Sequence, residues 1–341
     1  MQSEPGRETG IADSRTERIR AMYSDIRYPG LDPAENARYV RHRRYVYAAL
    51  GIDCDAFFRG KTVLDAGCGT GEETIFLAGL GPERVIGIDT SAGSLEVARA
   101  GAARVGARNL EFRLASVLDE TLFADASFDY VSSLGCIHHT ADMPRAFANL
   151  GRMVKPGGHL CTFIYNSFGH FVYDLECSLL DRIAGDEVEA RVRWARRLFD
   201  WRRDKSFRRE GVTASYDGRL YDKYGVLYRE SLTLGTLLRW YREQGFEHAG
   251  SFPIYLRDMV EGLFARDPEG QPVGGGARVR AAAVLRHLLS AAPGPREWTL
   301  GRRVSMQALL LAIGLFDYGS AFRVLGRKRT SVPAAAVESP C

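Results

Sequence analysis

The chain has 341 residues, of which 45% are hydrophobic and 26% charged, and its formal net charge is +4. This length and apolar content allow a complete α/β core with appendages, and the mild positive charge does not by itself indicate a nucleic-acid partner. The six cysteines form no Cys-x-x-Cys pair, which favours free thiols and a cytoplasmic location. Residues 1–20 are too polar for a secretory signal, and we expect no membrane-spanning helix in the sequence.

Residues 1–50 are predicted to cover the functional site rather than to join the sheet. Residues 1–13 are expected to be disordered, and helices are predicted at about 14–24 and 34–50. The second helix begins after Pro33, and proline is favoured in the first turn of a helix.

Residues 51–165 are predicted to form the core, because strand-like apolar runs alternate with segments of helix length. This alternation is typical of an α/β fold with a doubly wound, mostly parallel sheet. The predicted strands lie near 62–66, 84–89, 110–114, 128–133 and 158–165, and the predicted helices near 72–80, 92–105 and 142–152.

The chain departs from a minimal α/β domain after the fifth strand. Residues 166–228 are too long for an ordinary connection, and they are predicted to form a helical insertion that acts as a substrate lid. Residues 229–260 should complete the core sheet. They contain a predicted helix from Ser231, its candidate N-cap, to Gly245, followed by a strand over 246–253.

Residues 261–341 are predicted to form a helical C-terminal extension with a loose tail from Thr330. Helices are expected near 278–291 and 303–325. The apolar stretch Met306–Phe316 is too short to span a bilayer, which favours a buried helix or one at a homodimer interface.

A glycine turn at 67–71 follows the first core strand and indicates a nucleotide-type pocket. Glycines let the backbone approach a ligand closely, and Asp89 follows Gly69 by 20 residues, near the spacing at which an acid reaches ribose hydroxyls. Glu72 would repel a pyrophosphate. The pattern therefore favours a ligand with a cationic centre and an amino group over a dinucleotide.

The motif Asp65–Gly71 resembles the first motif of class I S-adenosylmethionine-dependent methyltransferases, and Asp89 resembles their ribose-binding acid. Segments 126–131, 136–140 and 150–158 continue this resemblance in the family's order. The resemblance implies a Rossmann-like fold, S-adenosyl-L-methionine as the cofactor, and methyl transfer as the activity.

The resemblance also implies a set of cofactor-binding residues at the ends of the first four strands. Ser116 stands where many relatives carry an aspartate that accepts from the adenine amine, and a hydroxyl can accept that bond without charge. The implied residues are Asp65, Gly67, Cys68, Gly69, Gly71, Asp89, Thr90, Ser116, Val117, Leu134 and Gly135.

The candidate catalytic residues are two histidines and two tyrosines. His138 and His139 could abstract a proton near neutral pH, although histidines here could equally cap a helix or hold the loop. Tyr165, where the fifth strand ends, and Tyr224 could orient an acceptor, with amphipathic packing as the alternative. No metal site is predicted.

A basic segment, 191–209, interleaves nine basic residues with aromatic ones. It could bind an anionic acceptor, an acidic carrier protein, RNA or a membrane surface, or it could be a solvated amphipathic helix packed on the core.

The sequence therefore predicts a methyltransferase that acts in specialised metabolism on a small-molecule acceptor with an aromatic or anionic character. The methylated atom, oxygen, nitrogen or carbon, stays open. A tRNA or rRNA methyltransferase and a non-catalytic cofactor-binding partner protein are the alternatives.

Overall fold

The computed structural model describes residues 33–210, 220–252 and 321–330, together with residues 304 and 308. The predicted disordered segment 1–13 and the predicted helices at 14–24 and 278–291 lie outside these residues. So does almost all of Met306–Phe316.

The core alternates strands and helices as the sequence pattern predicts. After α1 (Pro33–Ala49) and α2 (Cys54–Phe57), the order is β1 (Thr62–Ala66), α3 (Glu72–Ala78), β2 (Arg84–Asp89), α4 (Ala92–Arg104), β3 (Leu110–Leu114), β4 (Phe128–Leu134), α5 (Met143–Met153) and β5 (Val154–Tyr165). The later elements are α6 (Phe171–Ala184), α7 (Val188–Glu210), α8 (Leu234–Glu243), β6 (Phe246–Phe252) and β7 (Ala321–Lys328).

These strands form one seven-stranded sheet in the order β3-β2-β1-β4-β5-β7-β6. Strands β1 to β5 are parallel, and β7 is antiparallel to both β5 and β6. The predicted doubly wound, mostly parallel sheet is confirmed. Because the strand order reverses between β1 and β4, their carboxyl ends open a crevice of the kind in which such sheets bind ligands.

The seventh strand corrects the end of the predicted helix over 303–325, because 321–325 belong to a strand, whereas the described residues 304 and 308 are helical. It also corrects the prediction of an entirely helical extension after 261. Ala321–Lys328 lies inside the sheet, where Phe322 and Val324 pack into the main core and Leu325 packs on the opposite face. A strand buried on both faces shows no alternation of polar and apolar residues, so its sequence does not reveal its period.

Local capping differs from the prediction at one helix. Thr233, not Ser231, is the N-cap of α8, because the Thr233 hydroxyl accepts the Thr236 N–H at 3.1 Å. Ser231 instead lies in the segment that runs beside the end of β5, where the neighbouring Leu232 N–H donates to the Tyr165 carbonyl.

Helices cover both faces of the sheet. The main core lies between the sheet and α5 and α8, whereas the opposite core packs α1, α2 and α3 on β1, β4, β5 and β7. A third, smaller cluster lies between α6, α7 and the turn Tyr221–Gly225. The segment after β5 thus carries its own apolar centre beside the carboxyl ends of the strands.

Candidate cofactor and acceptor site

The glycine turn after β1 is joined to the end of β2 by backbone hydrogen bonds. The N–H groups of Gly67 and Cys68 both donate to the Ile88 carbonyl, at 2.8 and 2.9 Å. The Gly69 N–H donates to Asp89 Oδ2 at 2.9 Å. The turn and the acid that were predicted as a pair are therefore directly bonded.

The glycines around the crevice have two different surroundings. A Cβ atom at Gly67 would lie 2.3 Å from Cys136, and one at Gly71 would lie 2.8 Å from the Ala98 Cβ. Gly69 (φ +53°) and Gly135 (φ +82°) instead face open space, with no described atom within 4 Å of a Cβ built there. Gly67 and Gly71 serve close packing, and Gly69 and Gly135 border the crevice from β1 and β4.

Asp89 is half-buried at the end of β2, with both carboxylate oxygens accepting backbone N–H groups. Oδ1 accepts from Ser91 at 2.9 Å, and Oδ2 accepts from Gly69. Burial raises the pKa of Asp89 above its ordinary value, and hydrogen bonds from Ser91, Gly69 and Thr90 oppose that shift. The half-buried Thr90 belongs to the same turn.

The residues after β3 separate into one at the edge of the crevice and one in the core. Ser116 is half-buried, and its hydroxyl accepts the Leu118 N–H at 3.2 Å. Val117 is buried in the main core, and its carbonyl accepts from the Asn149 amide at 2.8 Å. Of these two residues, Ser116 lies near Asp89 at the carboxyl ends of the strands, whereas Val117 belongs to the core.

Asp65 and Cys68 lie beneath the turn. Asp65 is buried and accepts from the Thr74 hydroxyl at 2.7 Å and from the Ser132 hydroxyl at 3.1 Å. Burial, with Glu73 nearby, raises the pKa of Asp65 to about 7. The buried Cys68 thiol packs beside Gly87, and burial raises its pKa well above the ordinary value. Asp65 therefore stabilises the turn from the interior of the domain, through its hydrogen bonds to Thr74 and Ser132.

This set of groups fits S-adenosylmethionine. The open positions at Gly69 and Gly135 leave room for backbone contact with the methionine part, and the Asp89 carboxylate can accept from ribose hydroxyls. The Ser116 hydroxyl lies at the end of β3, beside the end of β2, where an adenine would sit.

The two histidines occupy a 3₁₀ turn after β4 and differ in their surroundings. The His138 ring is fully buried, 4.0 Å from the Tyr165 ring, and neither ring nitrogen has a hydrogen-bond partner among the described residues. Burial, with His139 and His170 nearby, holds the pKa of His138 well below its ordinary value. His138 is therefore a neutral ring.

His139 is half-buried, and its Nδ1 lies 2.9 Å from the Tyr228 carbonyl oxygen. Because a carbonyl can only accept, Nδ1 carries the proton and the lone pair of the neutral ring lies on Nε2. Sequence reasoning could not distinguish the two histidines, and this hydrogen bond does so.

Tyr165 lies with these histidines at the end of β5. Its ring stacks on His170 at 4.0 Å between centroids and 18° between planes. The buried Asn166 follows, and its Oδ1 accepts the N–H groups of Phe168 and Gly169 at 2.9 and 3.0 Å. Asn166 thereby fixes the point at which the chain leaves the sheet for α6.

Tyr224, the second candidate tyrosine, is buried in the cluster between α6 and α7. Its hydroxyl donates to Glu176 at 2.8 Å, and its carbonyl accepts from Arg191 Nε at 2.8 Å. The structure therefore brings Tyr165 and both histidines together and places Tyr224 in the interior of the helical insertion.

The basic segment begins with a buried residue. Arg191 has no exposed surface, and besides Tyr224 it bonds Asp181 at 2.5 Å and the Gly185 carbonyl at 2.9 Å. The side chains of Arg193, Arg196 and Arg197 are exposed. The side chains of 200–209 lie outside the described residues.

A buried ionic group on α1 and α3 was missed by sequence reasoning. Glu73 accepts from the hydroxyls of Tyr47 at 2.6 Å and Tyr39 at 2.7 Å, and it pairs with Arg43 at 2.8 Å. Arg323 on β7 was missed as well, since a helix was expected there. Glu73 could have been noticed as an acid at the start of a helix. Its partners lie far away in the sequence, and no local pattern indicates them.

Within the described ranges no group of three or more His, Cys, Asp or Glu residues could hold a metal ion. None of the helices in those ranges is long and apolar enough to cross a membrane.

Comparison with known proteins places the central segment in a family. A family model described as a methyltransferase domain matches residues 63–158. The methyltransferase GfsG of Streptomyces halstedii is 32% identical over 45% of this chain and 56% of its own length. The ubiquinone biosynthesis O-methyltransferase of Thiobacillus denitrificans is 36% identical over 40% of this chain and 58% of its own length.

The O-methyltransferase cnsE of Penicillium expansum is 37% identical over 30% of this chain and 37% of its own length. The chain thus spans about four- to six-tenths of the lengths of these relatives. Among solved structures, PKMT2 from Rickettsia typhi in complex with AdoHcy has a TM-score of 0.50 at 14% identity, covering 92% of this chain and 54% of that chain.

The sheet order, the glycine turn bonded to Asp89 and the matched segment agree with one another. Residues 63–158 therefore form a class I S-adenosylmethionine-dependent methyltransferase domain, for which S-adenosylmethionine is the cofactor.

Proposed function

We propose that the chain transfers a methyl group to an oxygen of a small-molecule acceptor in specialised metabolism. The observation that carries this proposal is the hydrogen bond from His139 Nδ1 to the Tyr228 carbonyl, at 2.9 Å. It leaves the basic nitrogen of a half-buried imidazole at the carboxyl ends of β4 and β5. S-adenosylmethionine supplies, when bound, a methyl group on a sulfonium that needs no further activation.

An oxygen acceptor needs help in losing its proton, and in this proposal His139 takes it. Nε2 accepts the hydroxyl proton, and the Tyr228 carbonyl stabilises the charged ring through the proton on Nδ1. The buried His138 ring packs against His139 and Tyr165, with centroids 4.3 and 4.0 Å away, and keeps the turn in place. Tyr165 borders the acceptor on the β5 side.

The cofactor contacts are proposed at the edge of the sheet. Asp89 accepts from the ribose hydroxyls, Ser116 accepts from the adenine amine, and the backbone at Gly69 and Gly135 meets the methionine part. Asp65, Gly67 and Gly71 then act by shaping the turn rather than by touching the ligand.

The helical insertion, 166–228, is proposed to cover the acceptor. Three backbone links join its two ends to the site: Leu232 N–H to the Tyr165 carbonyl, Ser167 N–H to the Leu232 carbonyl, and Glu230 N–H to the His138 carbonyl. The start of the insertion and the segment that follows it are therefore hydrogen-bonded to each other, to the end of β5 and to the histidine turn.

Two of the relatives described above are O-methyltransferases, which supports oxygen as the methylated atom. The burial of Arg191, the first residue of the basic segment, argues against a continuous basic face leading RNA to the cofactor. A small molecule enclosed by the insertion agrees better with this arrangement.

The test is incubation with isotopically labelled S-adenosylmethionine and separate metabolite and RNA extracts, followed by mass analysis. We expect label on metabolite oxygens. Label on RNA alone would show the nucleic-acid function, and an unlabelled result with both extracts would favour a non-catalytic partner protein.

The cofactor claim has its own control. Asp89→Ala should weaken binding of S-adenosylhomocysteine in calorimetry by about 100-fold or more, because it removes charged acceptors and frees the turn. Glu96→Ala removes an exposed acid from α4 and should bind normally. Equal affinities of the two variants would contradict the assignment of Asp89.

A further inference from the structure

A guanidinium on the last strand lies in register with the end of β4. Leu134 of β4 pairs with Phe163 of β5, and Phe163 pairs with Arg323 of β7. Register partners on neighbouring strands point to the same face, and strands lie about 4.8 Å apart, so the Cα atoms of Leu134 and Arg323 are about 10 Å apart. The backbone of Arg323 therefore lies two strands away from the end of β4, on the face of the sheet that α1 covers.

Arg323 is buried without a matching partner. It is only 4% exposed, and its Nε and Nη1 atoms have no hydrogen-bond partner among the described residues. Its Cζ lies 5.8 Å from the Phe163 ring centroid, a contact that does not satisfy N–H groups. Burying an unpaired charge is unfavourable, so the folded chain holds this group at a free-energy cost.

Among the described residues, the charged groups near Arg323 carry one more positive charge than negative charge. Glu73 is near enough to feel Arg323 electrostatically, but its oxygens are engaged by Tyr47, Tyr39 and Arg43. Burial would raise the pKa of Glu73, and the two arginines and two hydroxyls outweigh it, so Glu73 is charged. The Glu73 carboxylate therefore pairs with Arg43 and leaves the Arg323 guanidinium without a bonded carboxylate among the described residues.

The neighbouring histidine does not alter this balance. Burial and the nearby charges of Arg43 and Arg323 lower the pKa of His42, with Glu73 opposing them. The ring is neutral at pH 7 and adds no charge to the group.

We propose that the Arg323 guanidinium binds a carboxylate of a small molecule held at the carboxyl ends of β4 and β5. A planar guanidinium pairs with a carboxylate through two parallel hydrogen bonds, which would satisfy the buried N–H groups and the excess charge together. The carboxylate belongs either to the methionine part of the cofactor or to an acidic acceptor. The second source rests on the proposed methyl transfer to a small molecule.

The experiment compares Arg323→Met with Arg327→Met, which removes an exposed arginine from the same strand. Without ligand, Arg323→Met should melt at or above the temperature of the wild-type protein, since methionine replaces an unpaired buried charge by an apolar chain. A lower melting temperature than that of Arg327→Met would show that Arg323 is already satisfied in the free protein, and would overturn the proposal.

Ligand binding then separates the two sources. If the cofactor supplies the carboxylate, Arg323→Met loses affinity for S-adenosylhomocysteine by about tenfold or more and keeps its affinity for 5′-methylthioadenosine, which lacks the amino acid. If the acceptor supplies it, S-adenosylhomocysteine binds normally. In that case acetate, benzoate or 3,4-dihydroxybenzoate, but not the matching amides, stabilises the cofactor-loaded wild-type protein and fails to stabilise Arg323→Met.

Arg323→Lys, which keeps the charge but not the planar pair of donors, should recover only part of the loss. If neither the cofactor analogues nor the carboxylates respond to Arg323, the proposal is wrong. Methyl transfer would still stand in that case, provided that label reaches a metabolite.

Discussion

At the scale of single residues, the crevice is made by glycines that perform different tasks. Gly67 and Gly71 have positive φ angles and also lie within contact distance of Cys136 and Ala98. Gly69 shares the positive φ but faces open space. The same residue type therefore allows close packing at two positions and leaves open space at the position between them, where we propose that the ligand binds.

These different surroundings predict different effects of alanine substitutions on stability and on ligand binding. Gly69→Ala should cost about 1–2 kcal/mol of stability through its positive φ and should lower affinity for S-adenosylhomocysteine about tenfold or more. Gly71→Ala should cost about 2–4 kcal/mol, because the new methyl also meets Ala98. Urea unfolding and calorimetry measure the two effects, and equal stability losses in both variants would contradict this difference in surroundings.

The histidines offer a second comparison between neighbours. His139→Ala should lower the turnover rate by about 10²–10⁴-fold, and added imidazole should restore part of it, since the lost group is a proton acceptor. His138→Phe should fold and turn over nearly normally, because neither nitrogen of the buried His138 ring has a described partner to lose. A larger loss in His138→Phe than in His139→Ala would reverse the assignment of the base.

At the scale of elements, β7 joins the sheet through a close approach. A Cβ atom at Gly326 would lie 2.3 Å from the Tyr241 ring, and the Tyr241 hydroxyl donates to the Val324 carbonyl at 2.9 Å. Helix α8 is thereby fixed across β7 by one aromatic side chain, and the glycine makes room for it.

Gly326→Ala should therefore lower the free energy of unfolding by about 1–3 kcal/mol, as overpacking in a core does. Gly79→Ala, at the end of α3, is the control, because its new methyl would lie no closer than 3.4 Å to another atom. The two variants are compared by urea unfolding. Equal free energies of unfolding for the two variants would show that Gly326 does not pack closely against Tyr241 of α8 in solution.

Elements with a local signal were predictable, and those fixed by distant packing were not. Strands β1, β2 and β3 were predicted with their bounds, since each is an apolar run ended by a turn or an acid. Strand β7 was predicted as a helix, because its partners β5 and β6 both precede it by more than 60 residues. The eight residues of β7 contain no pattern that shows burial of the strand on both faces.

The candidate site divides in the same way. The spacing of Gly69 and Asp89 predicted an acid that reaches ribose, and the structure shows that the Gly69 N–H donates to Asp89, because the turn and the neighbouring strand end lie side by side. Tyr224 is buried in the cluster between α6 and α7, and its position there depends on hydrogen bonds with Glu176 of α6 and Arg191 of α7. Arg323 could not be singled out from the sequence either, because only the sheet register shows that it pairs with Phe163 of β5.

At the scale of the whole molecule, buried carboxylates under the crevice link its stability to pH. The pKa of Asp65 is raised to about 7 from 3.8, mainly by burial. The native state therefore holds a proton that the unfolded chain has released between these values. The stabilising contribution is complete below pH 3.8 and is lost as the pH rises towards 7.

Asp65→Asn removes this dependence, because an amide does not titrate. Between pH 5 and 8 the wild-type protein should lose up to about 3 kcal/mol of unfolding free energy relative to Asp65→Asn. Asp119→Asn replaces an exposed acid and should follow the wild-type protein. Urea unfolding at both pH values provides the test, and parallel pH profiles for wild type and Asp65→Asn would refute the buried titration.

The position of β7 has a consequence for how the chain is made. Strands β5 and β6 do not touch each other and are joined only by β7. During synthesis the edge of β5 stays unpaired until residue 328 has left the ribosome, and an open edge can recruit another chain. A chain released before β7 is made would therefore expose the unpaired edge of β5 and be prone to aggregate.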